Sequence, residues 1–209
     1  MKQLFLILFL TIFYFEGKAQ STLSKKDMDE IRLLARKKIQ KSLPELINTL
    51  NLDDVSFEDR KEVAQNSYYN NPEQLFAGDS VLIDDDLNPA RKIGNKTSRI
   101  KVSSYLAKSD SVYKKSAEPT YEVSNIVVSE IKDTNNIISI KVFFRSLFKG
   151  THITIKERYK PCEQIAKFKV EKIGKRWQVW ISDISLNEAH DNGNESTSKV
   201  LTMFPPLLL

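Results

Sequence analysis

From Tyr121 to Leu186 apolar and polar residues alternate with a period of two through four successive segments, about 121–131, 137–149, 162–173 and 176–186. That period belongs to strands that bury one face. Four such segments in close succession predict adjacent antiparallel strands. The stretch KDTNN at 132–136 is the expected turn between the first two. Gly174-Lys175 is the turn between the last two, because glycine at the first turn position suits a type II′ hairpin. One face should carry Ile138, Ile140, Val142 and Phe144 with Ala166, Phe168, Val170, Trp177, Val179 and Ile181. In the first strand the partners are either Val123 and Val127 or Ile126 and Val128. This face is the expected core. The opposite face sets Phe143, Leu147, Trp180, Ile184 and Leu186 among Lys141, Arg145, Lys167 and Lys169. Large apolar groups among lysine stems form a patch whose burial is favourable, so this face is expected to bind protein.

Ahead of the sheet the period becomes helical. Ser24 and Asp27 have the spacing of a capping box, and Met28, Ile31, Leu34, Ala35 and Ile39 recur on one helical face until about Lys41. Ser42-Leu43-Pro44-Glu45 restarts a helix with proline in its first turn, ahead of Leu46, Ile47 and Leu50. Ser56 with Asp59 opens a third helix carrying Val63, Ala64 and Tyr68, and Asn70-Asn71-Pro72 breaks it. A short strand at 80–83, a polar loop at 84–96 and a short helix around Ile100, Tyr105, Leu106 and Tyr113 follow, ending at Glu118-Pro119. The fold class is therefore α+β, with N-terminal helices packed on a curved antiparallel sheet of about four main strands. At 209 residues, 41% of them hydrophobic, the chain has apolar material for one core, expected over 20–187.

The two ends stand apart from that domain. Lys2, the apolar run 4–15 and Gly17-Lys18-Ala19 form the pattern of a signal peptide, with cleavage expected after Ala19. The run is shorter than the ~20 residues a spanning helix needs, so no membrane anchor is expected in the mature chain. Residues 188–209 read as a polar linker followed by the apolar tail VLTMFPPLLL. An exported protein in the periplasm, cell envelope or medium follows. Cys162 is the single cysteine, which excludes an intrachain disulfide and predicts a thiol buried in a strand.

The net charge of +5 is concentrated in the sheet, where 121–186 holds 12 lysines and arginines against 7 acidic residues. Because the charges alternate with apolar residues along strands, they read as a solvated sheet face, and nucleic acid is not an expected partner. Chemistry-bearing motifs are few. The stretch DDDLNP at 84–89 spaces Asp84, Asp86 and Asn88 as in a calcium loop. Pro89 replaces the required glycine, however, and Asn95 stands where a bidentate glutamate belongs, so an acidic surface turn is expected instead. His152 follows a strand end and His190 lies in the polar tail. No paired CxxC, HExxH, GxSxG or phosphate loop occurs. No catalytic residue, metal or cofactor is expected.

The segments VSSYLAKSDSVYKKSAEPTYEVSNIVV, IISIKVFFRSLFKG and QIAKFKVEKIGKRWQVWISDISL lie within 24–186. There the chain resembles the cone-shaped nuclear transport factor 2-like (cystatin-like α+β) superfamily, and more narrowly an exported domain of Bacteroidota envelope proteins. The resemblance also gives a meaning to Asp79-Ser80-Val81 and Asp110-Ser111-Val112, which match the O-glycosylation pattern of exported proteins from that phylum. Three functional readings follow. The first is a non-catalytic binding or scaffolding domain, joining a protein partner or a second copy through Phe143, Arg145, Leu147 and Trp180. The second, implied by the isomerases and dehydratases of the superfamily, is a small-ligand binder or enzyme using the cone cavity. Its candidate lining is Tyr68, Tyr105, Tyr113, Phe144, Phe168 and Trp177. It expects a cavity of roughly a few hundred Å³ between helices and sheet with a carboxylate or tyrosine hydroxyl facing inward, and filling by Phe144, Phe168 and Trp177 would remove it. The third is electrostatic adhesion to an anionic glycan or nucleic acid, which would weaken steeply with salt.

Overall fold

A computed structural model describes residues 23–69, 71, 74–91, 97–134 and 137–187. The expected leader, His190, Asn95 and the C-terminal tail lie outside the described residues. Helix α1 (Lys25–Lys37) begins with the expected capping box, in which Ser24 accepts from the Asp27 N–H and Asp27 accepts from the Ser24 N–H. The chain does not stop and restart at Ser42. A π-helical turn (Lys38–Ser42) leads directly into α2 (Leu43–Asn51). Pro44 provides the reason: it has no N–H to give to the preceding turn, and one wider turn accommodates the missing bond. Helix α3 (Phe57–Asn66) is capped by Ser56, whose hydroxyl accepts from the Asp59 N–H.

Strands β1 (Leu82–Asp84) and β2 (Arg99–Lys101) precede α4 (Val102–Val112). Then come β3 (Tyr121–Val128), β4 (Lys132–Thr134), β5 (Ile137–Phe148), β6 (Cys162–Ile173) and β7 (Arg176–Leu186). Among the described residues they form one mixed sheet in the order β2-β1-β7-β6-β5-β3, with β4 also paired to β5. All pairs are antiparallel except β1 with β7. The helices pack on one face, which establishes the α+β class. Residues 132–134, expected in a turn, extend the β3–β5 hairpin as β4. Gly174 has φ +61°, and Lys175 after it does not share that sign, as a type II′ turn requires.

Two bulges revise the expected faces. In β3 the register shifts between Ser124 and Val127, with Asn125 at φ 52°. Val123 therefore packs on the core before the bulge, and Ile126 and Val128 after it, while Val127 is 52% exposed. In β7 Phe168 faces Ile181 and Lys167 faces Asp183, leaving Ser182 as the extra residue. The phase flips there, and Ile184, expected on the outer face, is buried in the core.

The core runs between the helices and the inner sheet face. Ile31, Ile39, Leu50, Leu106, Ile140, Val142, Phe144, Phe168 and Ile181 are its most completely enclosed apolar side chains, with Phe76. Each such burial is worth about 1.5–3 kcal/mol. Asn48 fastens α2 to the start of β3: its Oδ1 accepts from Thr120 N–H and Tyr121 N–H at 2.8 Å, and its Nδ2 donates to Tyr121 O at 3.0 Å. No helix among the described residues is long and apolar enough to cross a membrane.

Candidate functional site

The acidic turn after β1 is only partly a surface feature. Asp84 accepts from Arg99 Nε at 3.0 Å and from the Leu186 N–H at 2.8 Å, and Asp85 accepts from Lys108 Nζ. These two carboxylates hold the turn against β7 and α4. Asp86 points inward instead. Its Oδ1 accepts from the Tyr105 hydroxyl and its Oδ2 from Gln164 Nε2, both at 2.8 Å. The three side chains thus diverge to separate partners, and among the described residues no group of His, Cys, Asp and Glu could hold a metal ion.

Asp86 opens onto a cavity at the end of the sheet where β6 begins. Helix α4 contributes Tyr105 and Ser109, and Tyr113 follows at its C-terminal boundary. Positions four apart share one helix face, so all three line the same wall. Tyr121, Ser146 and Phe148 come from β3 and β5, Cys162 from β6, and Tyr159 and Lys160 from the segment before β6. The rings brace one another. Tyr113 stacks on Phe148 at 3.9 Å between centroids, and Tyr159 stands edge-on to both, at 5.5 and 5.0 Å. Tyr159 also donates to Leu87 O at 2.6 Å, pinning the aspartate turn to the segment before β6. Gly150 belongs to this arrangement, since a Cβ there would lie 2.5 Å from the Phe148 ring.

The electrostatics follow from burial. Asp86 is pushed above the ordinary carboxylate range by loss of water, against the opposing pull of the Tyr105 hydroxyl. Burial, with Asp86 nearby, also raises Tyr105, Tyr113 and Tyr121, and moves Tyr159 up to about 12. These tyrosines therefore stay protonated and able to donate. Ser109 is fully enclosed, and its Oγ has no hydrogen-bond partner among the described residues. An unpaired buried hydroxyl costs roughly 1–3 kcal/mol, which a bound oxygen would recover.

The enclosed cavity holds about 20 Å³, room for one water-sized group. It adjoins an open basin of about 460 Å³ lined by Pro89, Ala90, Arg91, Glu157, Arg158, Tyr159 and Lys160. Tyr159 and Lys160 border both spaces.

The sequence-derived candidates divide between this site and others. Tyr105 and Tyr113 line the cavity. Phe144, Phe168 and Trp177 are core, filling the space between helices and sheet, which removes the large cone cavity that the second reading expected. Tyr68 is half-buried against the core edge. Cys162 opens β6, in a strand as expected, but is half-buried at the cavity wall and not fully buried, and Arg91 Nη2 lies 3.7 Å from its sulfur. His152 packs edge-on to Tyr113, and its Nδ1 accepts from the Thr154 N–H. Asp86, Ser109, Tyr121, Tyr159 and Gln164 are additions that sequence reasoning missed. The spacing of Tyr105, Ser109 and Tyr113 on one helix face was the available signal.

No family model matches the chain, and no curated protein matches it. Among solved structures it is similar to a crystal structure from Novosphingobium aromaticivorans that carries the provisional name scytalone dehydratase. The two share 12% identity at a TM-score of 0.35, over 76% of this chain and 87% of that one.

Proposed function

We propose that the protein binds a small molecule, which lies in the outer basin and sends one uncharged oxygen into the Asp86 cavity. The carrying observation is the cluster of Asp86, Tyr105 and Gln164 with Ser109, whose buried hydroxyl has no partner among the described residues, at the lining of one small cavity. A polar interior of this kind is expensive to maintain for stability alone. Asp86, raised above the ordinary carboxylate range, and the Ser109 hydroxyl are the polar groups that would meet a ligand hydroxyl or carbonyl. Size agrees: the basin falls within the range of small-molecule sites, and the inner cavity admits one oxygen. The leader expected at 1–19 would make this an exported binding protein, which N-terminal sequencing of the protein from its source cells checks.

Native mass spectrometry of protein purified at gentle salt from those cells tests the reading. The expected result is one small molecule per chain, lost in Asp86→Ala while circular dichroism remains native. Ligand retained in that variant, or no ligand in either protein, would reject the pocket.

A second reading concerns the outer sheet face, where Val127, Phe143 and Ile165 lie opposite one another across β3, β5 and β6. Arg145 pairs with Glu163 beside them, and Leu147 on β5 is half-buried; Trp180, also half-buried, stands opposite Lys169, four residues along β6 from Ile165. This row favours contact with a protein partner or a second copy. Trp180→Ala should weaken association, read by sedimentation velocity, and leave the unfolding midpoint unchanged. Unaltered assembly with lost stability would mark Trp180 as packing only.

A further inference from the structure

Granted the pocket reading, we infer that its ligand is a small organic anion, whose carboxylate or phosphate lies among Arg91, Arg158 and Lys160 in the basin. Those three cations face a single acid, Glu157, around the opening. Among the described residues none of the three forms an ion pair. Other cations near this end do: Lys108 with Asp85, Arg99 with Asp84 and Asp183, and Lys149 with Glu122. The side chain of Arg91 is instead drawn in toward the cavity wall, against the Cys162 sulfur. An excess of positive charge around one opening attracts anions to it. Guanidinium groups match carboxylate and phosphate oxygens in pairs.

The inner cavity agrees with that assignment. Burial pushes Asp86 above its ordinary range, against the pull of Tyr105 and Arg91, which lessens the negative charge at the base that would repel an anion at the mouth. The enclosed donors there, Ser109 and the tyrosines, suit a neutral oxygen and leave the charged end outside. One molecule would then carry both groups, an anion for the rim and a hydroxyl or carbonyl for the base. A polymer with anions all along its length does not fit a 20 Å³ recess.

Amide NMR titrations of the full chain provide the test. The anionic probes are 4-hydroxybenzoate and glycerol 3-phosphate, and their neutral counterparts are 4-hydroxybenzamide and glycerol. At least one anion should bind about tenfold tighter than its counterpart and perturb amides of 86–91 and 157–162. Which anion does so separates a carboxylate ligand from a phosphate ligand. In the double variant Arg158→Glu with Lys160→Glu, both sites being exposed, the advantage of the anion over its neutral counterpart should vanish. Equal binding of anionic and neutral probes, unaffected by the reversal, would overturn the anion assignment and leave the pocket standing. Binding of none of the four would overturn both.

Discussion

Asp27 and Asp86 lie near opposite ends of β6, and each accepts hydrogen bonds from an aromatic side chain and a second polar one. Asp27 takes the Trp177 indole N–H at 2.6 Å and the Ser24 hydroxyl, with Lys172 at 3.4 Å. Its acidity is strengthened to about 2, chiefly by Ser24 and then by Trp177. Asp86 has comparable donors in Tyr105 and Gln164, yet its pKa moves up. The difference is water. Asp27 stays at the rim of the fold, where donors act on a solvated charge, whereas Asp86 has lost its hydration, and two donors do not replace it. One carboxylate fastens the first helix to the last hairpin. The other is held in a state that costs stability, which points to use by a ligand.

Phe168 sits on β6 between the two ends and is 2% exposed, so it supports both. Phe168→Ala should cost about 3–5 kcal/mol in urea unfolding. A loss under about 1 kcal/mol would show that the two ends are held independently.

Asp86→Asn should act in the opposite direction. The folded state raises the pKa of Asp86 above its ordinary 3.8, so native stability falls as pH rises from there through the raised value. Removing the ionisable group should therefore stabilise the protein at pH 7 by about 1 kcal/mol, with the gain disappearing below pH 4. A variant less stable than the parent at pH 7 would mean that Asp86 is a structural anchor like Asp27.

The same contrast explains what could be read from the chain in advance. Asp27 was legible because its capping box is local, set by Ser24 three residues earlier. The strands and their inner face were legible from the period of two. Ile184 was not, because one extra residue in β7 reverses the phase and leaves no mark on composition. Asp86 was hidden among three consecutive aspartates, identical in sequence and separated only by their tertiary partners. Gln164 lies 78 residues away, and Tyr159 comes from a segment with no period to betray it.

The smallest expected effect is also the sharpest test of the comparison. Asp27→Asn keeps an acceptor for the indole and removes only the charge. Because the folded-state value near 2 lies below the ordinary 3.8, the carboxylate favours the fold above that pH, and its contribution is lost as pH falls through 2. The variant should be slightly less stable than the parent at pH 7, and the deficit should close between about pH 4 and 2. The Asp27 side chain is partly exposed, at 26%, so added salt should shrink the part owed to Lys172. Measured side by side by thermal unfolding, the Asp27→Asn and Asp86→Asn differences should have opposite signs. The first should change below pH 4 and the second above it. Profiles of the same sign would remove the distinction between an aspartate that holds the fold and one kept for binding.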